Sequence, residues 1–497
     1  MKRLGSALGF LWVSVFVLGC GDTPTSPPPP PPADAGPTAI DWTALDAVVE
    51  GERVKLQSPG VAFVVVHEGK VVYAHGFGTR AGSDVPIKTS TLFRVSSIAK
   101  AWTAMAVLKL VDQGKLGLDD PVKTHIPELA LKGSPPELAS LTIRQLLLHR
   151  SGIYDGVADG TQAGVKDDGY LERYVTSQAF ADTYYFMTPP GRTFNYTNVE
   201  YNILGLVLER VTGKRYRDVV RELVFEPLGM SRMRCTPDEV IADGDYTDGK
   251  GEVMYIGPAV DWSPATNPSG GGAGCAASAD DLAKLAALIA DGNPNVLSPA
   301  AWSAIHESGG PTDQPWLGDR YHGYAYGYGA MSYDGLAAFG AYYPMRIIGH
   351  EGAGRGFASL MYSVPARRLA IVALANGNEA YFDDSLAAAI RLAGLPAASE
   401  KPATGVPPST FPRFEGNYYE PRVLKDIVVR SAGGALVADI SGLGISGRAL
   451  TPEHGTGFEL LNVPSGPNND HFVRFIDDGA GNVELMRNRY WVATKQP

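Results

Sequence analysis

Apolar residues fall into short, largely continuous runs near both ends of residues 41–395, which predict strands, and into helical spacing between those runs. Residues 61–66 and 71–74 are β-branched runs separated by Glu68-Gly69-Lys70, a pattern typical of a β-hairpin. Residues 357–364 and 369–375 form a second pair of β-rich runs. This order predicts a single antiparallel sheet that takes strands from both ends of residues 41–395.

Helical spacing of apolar residues dominates the segment between those strand pairs. One amphipathic helix is predicted from about Ser97 to Gln113, stopped by Gly114. Further helices are predicted over residues 199–211, 280–291 and 384–393, and residues 118–265 as a whole are helical and loop-rich. The pattern therefore predicts an α/β (α+β) fold.

The pattern changes again after residue 395. Residues 396–409 are rich in Pro, Ala, Ser and Thr, which is typical of a linker. From residue 410 to 497, short β-like runs alternate with turns such as residues 477–482, which predicts a small C-terminal all-β domain, a barrel or a sandwich. Because no catalytic constellation is recognisable there, structural support is favoured over substrate gating.

Residues 1–19 are predicted to be a signal peptide, since Lys2 and Arg3 precede the short apolar stretch 4–18. The sequence Val-Leu-Gly-Cys that ends at Cys20 resembles a bacterial lipobox. It predicts cleavage before Cys20 and lipidation of its thiol; ordinary signal cleavage is the alternative.

Residues 20–40 continue from Cys20 into a proline-rich segment, which is either an extended spacer or a disordered linker. We therefore expect an exported, membrane-anchored lipoprotein that faces the periplasm or the cell surface. After Cys20 two cysteines remain, Cys235 and Cys275, and in an exported chain they either pair or stay as buried thiols.

Composition narrows the classes of partner. A hydrophobic content of 44% in 497 residues supports a large core. The net charge is −10 without any basic run, so no nucleic-acid partner is expected. Neither a metal-ligand pattern nor a dinucleotide or phosphate motif occurs, so no metal and no cofactor are predicted. The absence of Gly-x-Ser-x-Gly argues against an α/β-hydrolase.

Three short motifs carry candidate chemistry. Ser97 and Lys100 form the only Ser-x-x-Lys of the chain, a spacing that puts hydroxyl and amine on one helix face. A desolvated amine can take the proton of a serine hydroxyl, and a helix N-terminus offers N–H groups to an oxyanion. Tyr196 and Asn198 form the only Tyr-x-Asn, although Asn198 could simply cap the next helix. His350-Glu351-Gly352 is the third motif, with an incidental histidine in a hairpin turn as its alternative.

In this order the motifs resemble those of the serine penicillin-recognising family, which includes class C β-lactamases, D-alanyl-D-alanine carboxypeptidases, D-aminopeptidases and related esterases. The segments 92–100, 141–152, 196–205, 225–230 and 271–282 also resemble that family, so the likeness covers roughly residues 41–395. It implies helices on both faces of the sheet and a helical subdomain as the other wall of a cleft. It also implies that residues 410–497 resemble the β-barrel appendages of such hydrolases.

The resemblance further implies an acyl-enzyme route. Ser97 would be the nucleophile, and Lys100 and Tyr196 would share the proton transfers. Asn198 would bind the substrate amide or the Lys100 amine. The backbone N–H groups of Ser97 and Ala353 would form the oxyanion hole.

His350 stands where β-lactamases of this family carry a lysine, so a fixed positive charge is missing at that place. Gly352 would allow substrate to approach the edge of a strand. The prediction is an esterase or a D-alanyl carboxypeptidase-like hydrolase of a small-molecule or peptidoglycan-derived substrate. A β-lactamase, or a non-catalytic penicillin-binding or cell-envelope scaffold lipoprotein, is the alternative.

Overall fold

The computed structural model describes residues 40–497, apart from 156–168, 251–274, 308, 311, 313–319, 355, 379, 403–405, 453–456 and 461–471. Asp41–Pro497 form one unit. The predicted signal peptide, Cys20 and most of the proline-rich segment lie outside the described residues. Within them, no helix is both long and apolar enough to span a membrane.

The predicted antiparallel sheet is confirmed, and it has eight strands in the order β2-β1-β10-β9-β8-β7-β5, with β6 also paired to β7. Both ends of residues 41–395, the main region, contribute to it. Its strands are β1 (Gly60–His67), β2 (Lys70–Gly78), β5 (Tyr321–His322), β6 (Ala325–Tyr326), β7 (Met331–Ala338), β8 (Ala341–Gly354), β9 (Phe357–Val364) and β10 (Leu369–Ala375). The two-stranded pair of β3 (Phe93–Arg94) and β4 (Ala276–Ala277) lies apart from it.

Helices cover both faces of the sheet. Alternate residues of β1 contribute to two separate apolar cores, which is why the strand is buried along nearly its whole length. The helices are α1 (Leu45–Lys55), α2 (Ala99–Asp112), α3 (Val122–His125), α4 (Ile143–Leu147), α5 (Tyr170–Val175), α6 (Gln178–Thr183), α7 (Asn198–Thr212), α8 (Tyr216–Val220), α9 (Glu226–Leu228), α10 (Pro237–Asp243), α11 (Ala279–Asp291), α12 (Pro299–His306) and α13 (Asp383–Ala393). One core joins α11, α2 and α7 to the sheet, and the other joins α1 and α13 to it.

The helix predicted from Ser97 differs from the prediction in two ways. Residues Ser96–Ile98 form a 3₁₀ turn, and the α-helix α2 begins at Ala99. Its residues 99–108 are all buried, so α2 is a central helix and not an amphipathic surface helix. The cause is tertiary packing, because the helices of the middle region surround it.

Eight strands between Gly416 and Lys495 form a closed antiparallel barrel, as predicted for the C-terminal part. Its eight strands are β11 (Gly416–Glu420), β12 (Lys425–Ala432), β13 (Ala435–Ile440), β14 (Ile445–Pro452), β15 (Gly457–Glu459), β16 (Phe472–Asp477), β17 (Val483–Arg487) and β18 (Val492–Lys495). Pairing of β11 with β18 closes it, so no strand edge is left unpaired among them. A core of its own fills the interior, with Phe414, Phe458 and Phe475 in mutual ring contact.

Candidate active site

The tight turn before α2 carries Ser97 and brings its hydroxyl to the buried amine of Lys100. Nζ of Lys100 donates a hydrogen bond to Oγ of Ser97 over 3.1 Å. Ser97 is partly exposed, whereas its neighbour Ser96 is buried and adopts a left-handed backbone with φ of 47°. The turn therefore presents Ser97, and not Ser96, at an accessible position.

Lys100 is held in a neutral environment. Its side chain is 1% exposed, and its second hydrogen bond goes to Oδ1 of Asn198, over 2.7 Å. Burial lowers the pKa of Lys100 to about 7, because the charged amine loses its hydration, and the nearby positive charge of Arg489 adds to this effect while Asp155 opposes it. An amine with a pKa near neutrality can accept and return a proton at physiological pH.

Tyr196 lies over the same pair. Its side chain hydrogen-bonds to Ser97, and its ring centroid is 4.8 Å from Nζ of Lys100. Burial raises the pKa of Tyr196 above its usual value, while the contact with Ser97 and the charge of Arg489 pull in the other direction. The phenol is therefore protonated near pH 7 and able to donate.

Asn198 is the first residue of α7, and the N-cap position belongs to Thr197. The Asn198 side chain does not cap this helix, because its Oδ1 accepts from Lys100. The sequence suggested two partners for Asn198, the substrate amide and the Lys100 amine. In the structure its side chain contacts the Lys100 amine.

His350 lies inside β8, not in a hairpin turn. It is fully buried; its Nδ1 faces the carbonyl of Glu351 at 2.6 Å, and its Nε2 lies 3.0 Å from the hydroxyl of Tyr326. A nitrogen that faces a carbonyl must carry the proton, so Nε2 accepts from Tyr326. Burial lowers the pKa of His350 to about 3, and the Lys100 charge contributes, so the ring is neutral at pH 7.

Glu351, next to His350, is also buried and uncharged at neutral pH. Its Oε1 accepts a hydrogen bond from Tyr362, over 2.7 Å. Burial raises its pKa to about 8. The motif therefore places neither a cation nor an anion of its own beside Ser97.

The glycines of this stretch serve close packing inside a strand, which is why a turn was the wrong alternative. A Cβ on Gly352 would lie 2.1 Å from the carbonyl oxygen of Val95, and one on Gly349 would lie 1.9 Å from that of Met361. The segment before Ser97 therefore runs directly against β8.

Strand β7 pairs with β8 only as far as Gly349. On that side, residues 350–354 have no strand partner among the described residues. Ala353 lies in this open part of the strand and is exposed, whereas Gly352 before it is buried against the segment that leads to Ser97. Ala353 thus lies at an accessible strand edge close to the turn that carries Ser97.

A buried pair that no sequence motif indicated lies behind Tyr196. His149 and Glu200 are both fully buried and joined by a short hydrogen bond, and the His149 ring centroid is 4.4 Å from that of Tyr196. Burial raises the pKa of Glu200 and lowers that of His149, so desolvation favours the uncharged form of each group. The pair therefore supports the Tyr196 ring without adding net charge.

The barrel also reaches this site, which the sequence did not lead us to expect. Arg489 is 3% exposed, forms an ion pair with Asp155 at 2.5 Å, and lies 5.2 Å from the ring centroid of Tyr196. Arg487, 1% exposed, donates to the backbone carbonyl of Phe194. The sequence favoured structural support for residues 410–497; the structure adds direct contacts of the barrel with the segment that carries Tyr196. The available signal was two alternating arginines within Met-Arg-Asn-Arg-Tyr-Trp.

Two other expectations concern residues away from this cluster. The sequence allowed Cys235 and Cys275 either to pair or to remain buried thiols. In the structure they are joined in a disulfide. Within the described part of the chain, no three His, Cys, Asp or Glu side chains are grouped so that they could hold a metal ion.

Known proteins are similar to this chain in sequence and in fold. The Beta-lactamase family model matches residues 45–395, which are most of the chain. Penicillin-binding protein 4 of Amycolatopsis lactamdurans is 28% identical over 341 residues, covering 67% of this chain and 85% of that protein. Esterase EstB of Burkholderia gladioli is 30% identical over 342 residues, covering 60% of this chain and 83% of that protein.

Among solved structures, that of SurE with D-Leu aligns with a TM-score of 0.64 at 22% identity. The alignment covers 91% of this chain and 99% of that one, which is more than the main region alone. At this identity the likeness concerns the fold.

Proposed function

Because the chain belongs to the Beta-lactamase family and is a serine hydrolase, we propose that it hydrolyses esters and D-amino-acid-type amides through an acyl-enzyme on Ser97. One observation carries this proposal. Ser97 is a partly exposed residue, and its hydroxyl is hydrogen-bonded to a buried amine with a pKa of about 7. An accessible hydroxyl beside a near-neutral amine is an activated nucleophile.

The proposed route has two halves. Oγ of Ser97 attacks the carbonyl carbon and its proton passes to Nζ of Lys100; the C–O or C–N bond then breaks, and Lys100 and Tyr196 together return a proton to the leaving group. In the second half, water attacks the acyl carbonyl carbon and gives its proton to the same pair; the bond between that carbon and Oγ of Ser97 then breaks, the acid is released, and the proton returns to Oγ. Backbone N–H groups of Ser97 and Ala353 are the proposed oxyanion donors, a role worth about 10²–10³-fold in rate.

The neutral state of the His350 motif favours esters over carboxylate-bearing β-lactams. A β-lactam carboxylate would lose a charge-assisted hydrogen bond there, worth about 1.5–3 kcal/mol, or about ten- to a hundred-fold in affinity. The barrel does bring a cation near Tyr196, but Asp155 neutralises it. A relative named as an esterase supports the same preference.

Peptides and amides built from D-amino acids are the second candidate. The motif resemblance implies them, and a structural neighbour was solved with D-Leu. Its fold covers nearly the whole of this chain.

The nucleophile is tested by exchanging the two adjacent serines in turn. Ser97→Ala should abolish both turnover of p-nitrophenyl butyrate and labelling by a fluorophosphonate, as read by intact-mass spectrometry. The matched control Ser96→Ala should retain labelling. Labelling that survives in Ser97→Ala and disappears in Ser96→Ala would show that the assignment is off by one residue.

The substrate class is tested by comparing kcat/KM for p-nitrophenyl butyrate, nitrocefin and a peptide ending in D-alanyl-D-alanine. We expect the ester to exceed nitrocefin. Nitrocefin turnover well above that of the ester would overturn the preference, whereas fast release of D-alanine would make the second candidate the principal activity.

We also propose that the protein is exported and anchored through a lipid on Cys20, and the support for this lies in the sequence alone. Cys20→Ala should move the protein from the membrane fraction to the soluble fraction. An unchanged distribution would refute the anchor.

A further inference from the structure

Residues 487–491, which link β17 to β18, form a connection that we call the arginine turn. It begins at Arg487 and contains Arg489, and both side chains are almost completely buried. Burying a guanidinium is costly unless its donors are satisfied. Outside the turn, the guanidinium of Arg487 contacts the segment that carries Tyr196 directly. The guanidinium of Arg489 contacts Asp155, which is hydrogen-bonded to the same segment.

Arg487 fixes the chain just before Tyr196. Its guanidinium donates to the carbonyl oxygen of Phe194 and, over 2.7 Å, to Oδ1 of Asn195. Asn195 is held from the main region too, because its backbone N–H donates to the carbonyl of His149 over 2.7 Å and its side-chain amide to that of Ile153 over 3.1 Å. Asn195 is thus held from both sides, and the carbonyl of Phe194 is held from the barrel.

Arg489 reaches the residues that follow. Nη2 of Arg489 lies 2.5 Å from Oδ2 of Asp155, and the other oxygen of Asp155 accepts from the backbone N–H of Asn198 over 3.3 Å. The Asn198 side chain in turn accepts from Lys100, which donates to Ser97. A continuous series of polar contacts therefore runs from the barrel to the nucleophile.

The arginine turn is itself shaped to present these side chains. Oδ1 of Asn488 accepts from the backbone N–H groups of Tyr490 and Trp491, over 2.8 and 2.9 Å. The guanidinium of Arg487 also donates to the carbonyl of Asn488, over 3.0 and 3.2 Å. Such a turn fixes the direction of both arginines before they meet the main region.

We propose that Arg487 and Arg489 are positioning residues of the active site: the barrel clamps residues 194–198, so that Tyr196 and Asn198 keep their places beside Ser97 and Lys100. This inference rests on the proposed acyl-enzyme function. It assigns the barrel a part in catalysis that goes beyond structural support. Misplacement of a catalytic group by about 1 Å can cost about 10²-fold in rate.

The clamp also has an electrostatic consequence. The groups whose charge or ring faces Lys100 are Asp155, Arg489, Glu200, His149, His350, Tyr196 and Tyr201. Within this set, Asp155 and Arg489 form an ion pair, whereas burial favours the uncharged forms of His149, His350 and Glu200. Loss of the Arg489 charge would leave Asp155 unbalanced and raise the pKa of Lys100.

The test uses the full chain and four variants: Arg489→Gln, Arg489→Lys, Arg487→Gln and Glu484→Gln. Glu484 is the matched control, because it also forms an ion pair between the barrel and the main region. It is half exposed, and its partner Arg192 lies outside residues 194–198. Activity is referred to the concentration of folded protein, with melting temperatures measured in parallel.

Arg489→Gln and Arg487→Gln should lower kcat for p-nitrophenyl butyrate about 10²-fold, with KM changed less than about threefold. Arg489→Gln should also move the acid limb of the pH profile to higher pH, and Arg489→Lys should restore part of both effects. Glu484→Gln should leave kcat and the limb unchanged. Lower melting temperatures with an unchanged kcat and limb would show that the arginines only support the fold and would overturn the proposal.

A second measurement does not depend on turnover. Hydrogen–deuterium exchange of residues 194–198 should become faster in both Gln variants, while α11 exchanges as in the parent protein. Unchanged exchange in 194–198 would overturn the clamp. Failure of Ser97 labelling in the parent protein would instead contradict the proposed function, and the exchange result would still judge the clamp.

Discussion

Two buried basic side chains lie near the ring of Tyr196, one supplied by the main region and one by the barrel. Nζ of Lys100 is 4.8 Å from the ring centroid and Cζ of Arg489 is 5.2 Å from it. The hydrogen-bond partners of Lys100 are a hydroxyl and an amide oxygen, whereas Arg489 has the carboxylate of Asp155.

The difference shows how burial yields reactivity in one region and rigidity in the other. An amine buried among neutral partners is stabilised in its uncharged form, so its pKa falls to about 7. A guanidinium cannot lose its proton near neutral pH, so a buried one is retained only with a countercharge. The same contrast separates two carboxylates, since Glu351 faces a tyrosine hydroxyl and Asp155 faces Arg489.

The sharpest test of this contrast replaces the buried lysine by an arginine. Lys100→Arg should be no more active than Lys100→Met, because a guanidinium cannot accept the Ser97 proton. Both should lower kcat/KM for p-nitrophenyl butyrate by about 10²–10⁴-fold. Folded protein is verified by melting temperature, and activity of Lys100→Arg within about tenfold of the parent would contradict the role of Lys100 as base.

The stability of the protein should respond in opposite ways when each of the two carboxyl groups is replaced by its amide. Removing the charge of Asp155 leaves Arg489 buried without a countercharge, so Asp155→Asn should lower the free energy of unfolding by about 3–5 kcal/mol. Glu351→Gln keeps an oxygen that can accept from Tyr362 and removes a titration. Urea unfolding at pH 5 and pH 9 measures both.

The sign of the Glu351 effect follows from its raised pKa. A group whose pKa is higher in the folded state, here about 8, favours folding fully below its unfolded pKa, and this contribution is lost as pH rises to 8. Glu351→Gln should therefore change stability little at pH 5 and increase it at pH 9, by on the order of a few kcal/mol. A variant less stable than the parent at pH 9 would show that the ionised carboxylate has a partner after all.

The smallest effect concerns pH dependence in the parent protein. Because neutral Lys100 is the reactive form, kcat/KM for a neutral ester should rise about tenfold per pH unit below pH 7 and level off above it. His350, with its pKa near 3, should not shape this limb. A limb near pH 6.5 that disappears in His350→Gln would assign the titration to the histidine instead.

Most of the fold could be predicted from patterns that are local in sequence. The runs 357–364 and 369–375 are strands with those bounds, and the helix predicted over 280–291 is Ala279–Asp291. Continuous apolar runs mark these two strands, because helices cover both faces of the sheet, and 3.6-residue spacing of apolar residues marks the helix, because it buries one face. The same local rule failed for α2, where neighbours on every side bury residues that a surface helix would expose.

The motifs also predicted that Ser97, Lys100, Tyr196 and Asn198 lie together, since their types and order carry the resemblance to the family. Their protonation states were not in the sequence. His350 is neutral because it is sealed between a carbonyl and Tyr326, and Lys100 has a lowered pKa because its surroundings exclude water. Such shifts depend on three-dimensional desolvation and on charges distant along the chain.

The sequence by itself thus determined the elements, the order of the motifs and the candidate nucleophile. Only the tertiary structure decided that Arg487 and Arg489, nearly three hundred residues after Tyr196, lie against the segment that carries it. A hydrophobic pattern specifies which face of an element is buried, but not which distant element covers it. A buried arginine and a surface arginine are the same letter, and only the partner that neutralises the charge distinguishes them.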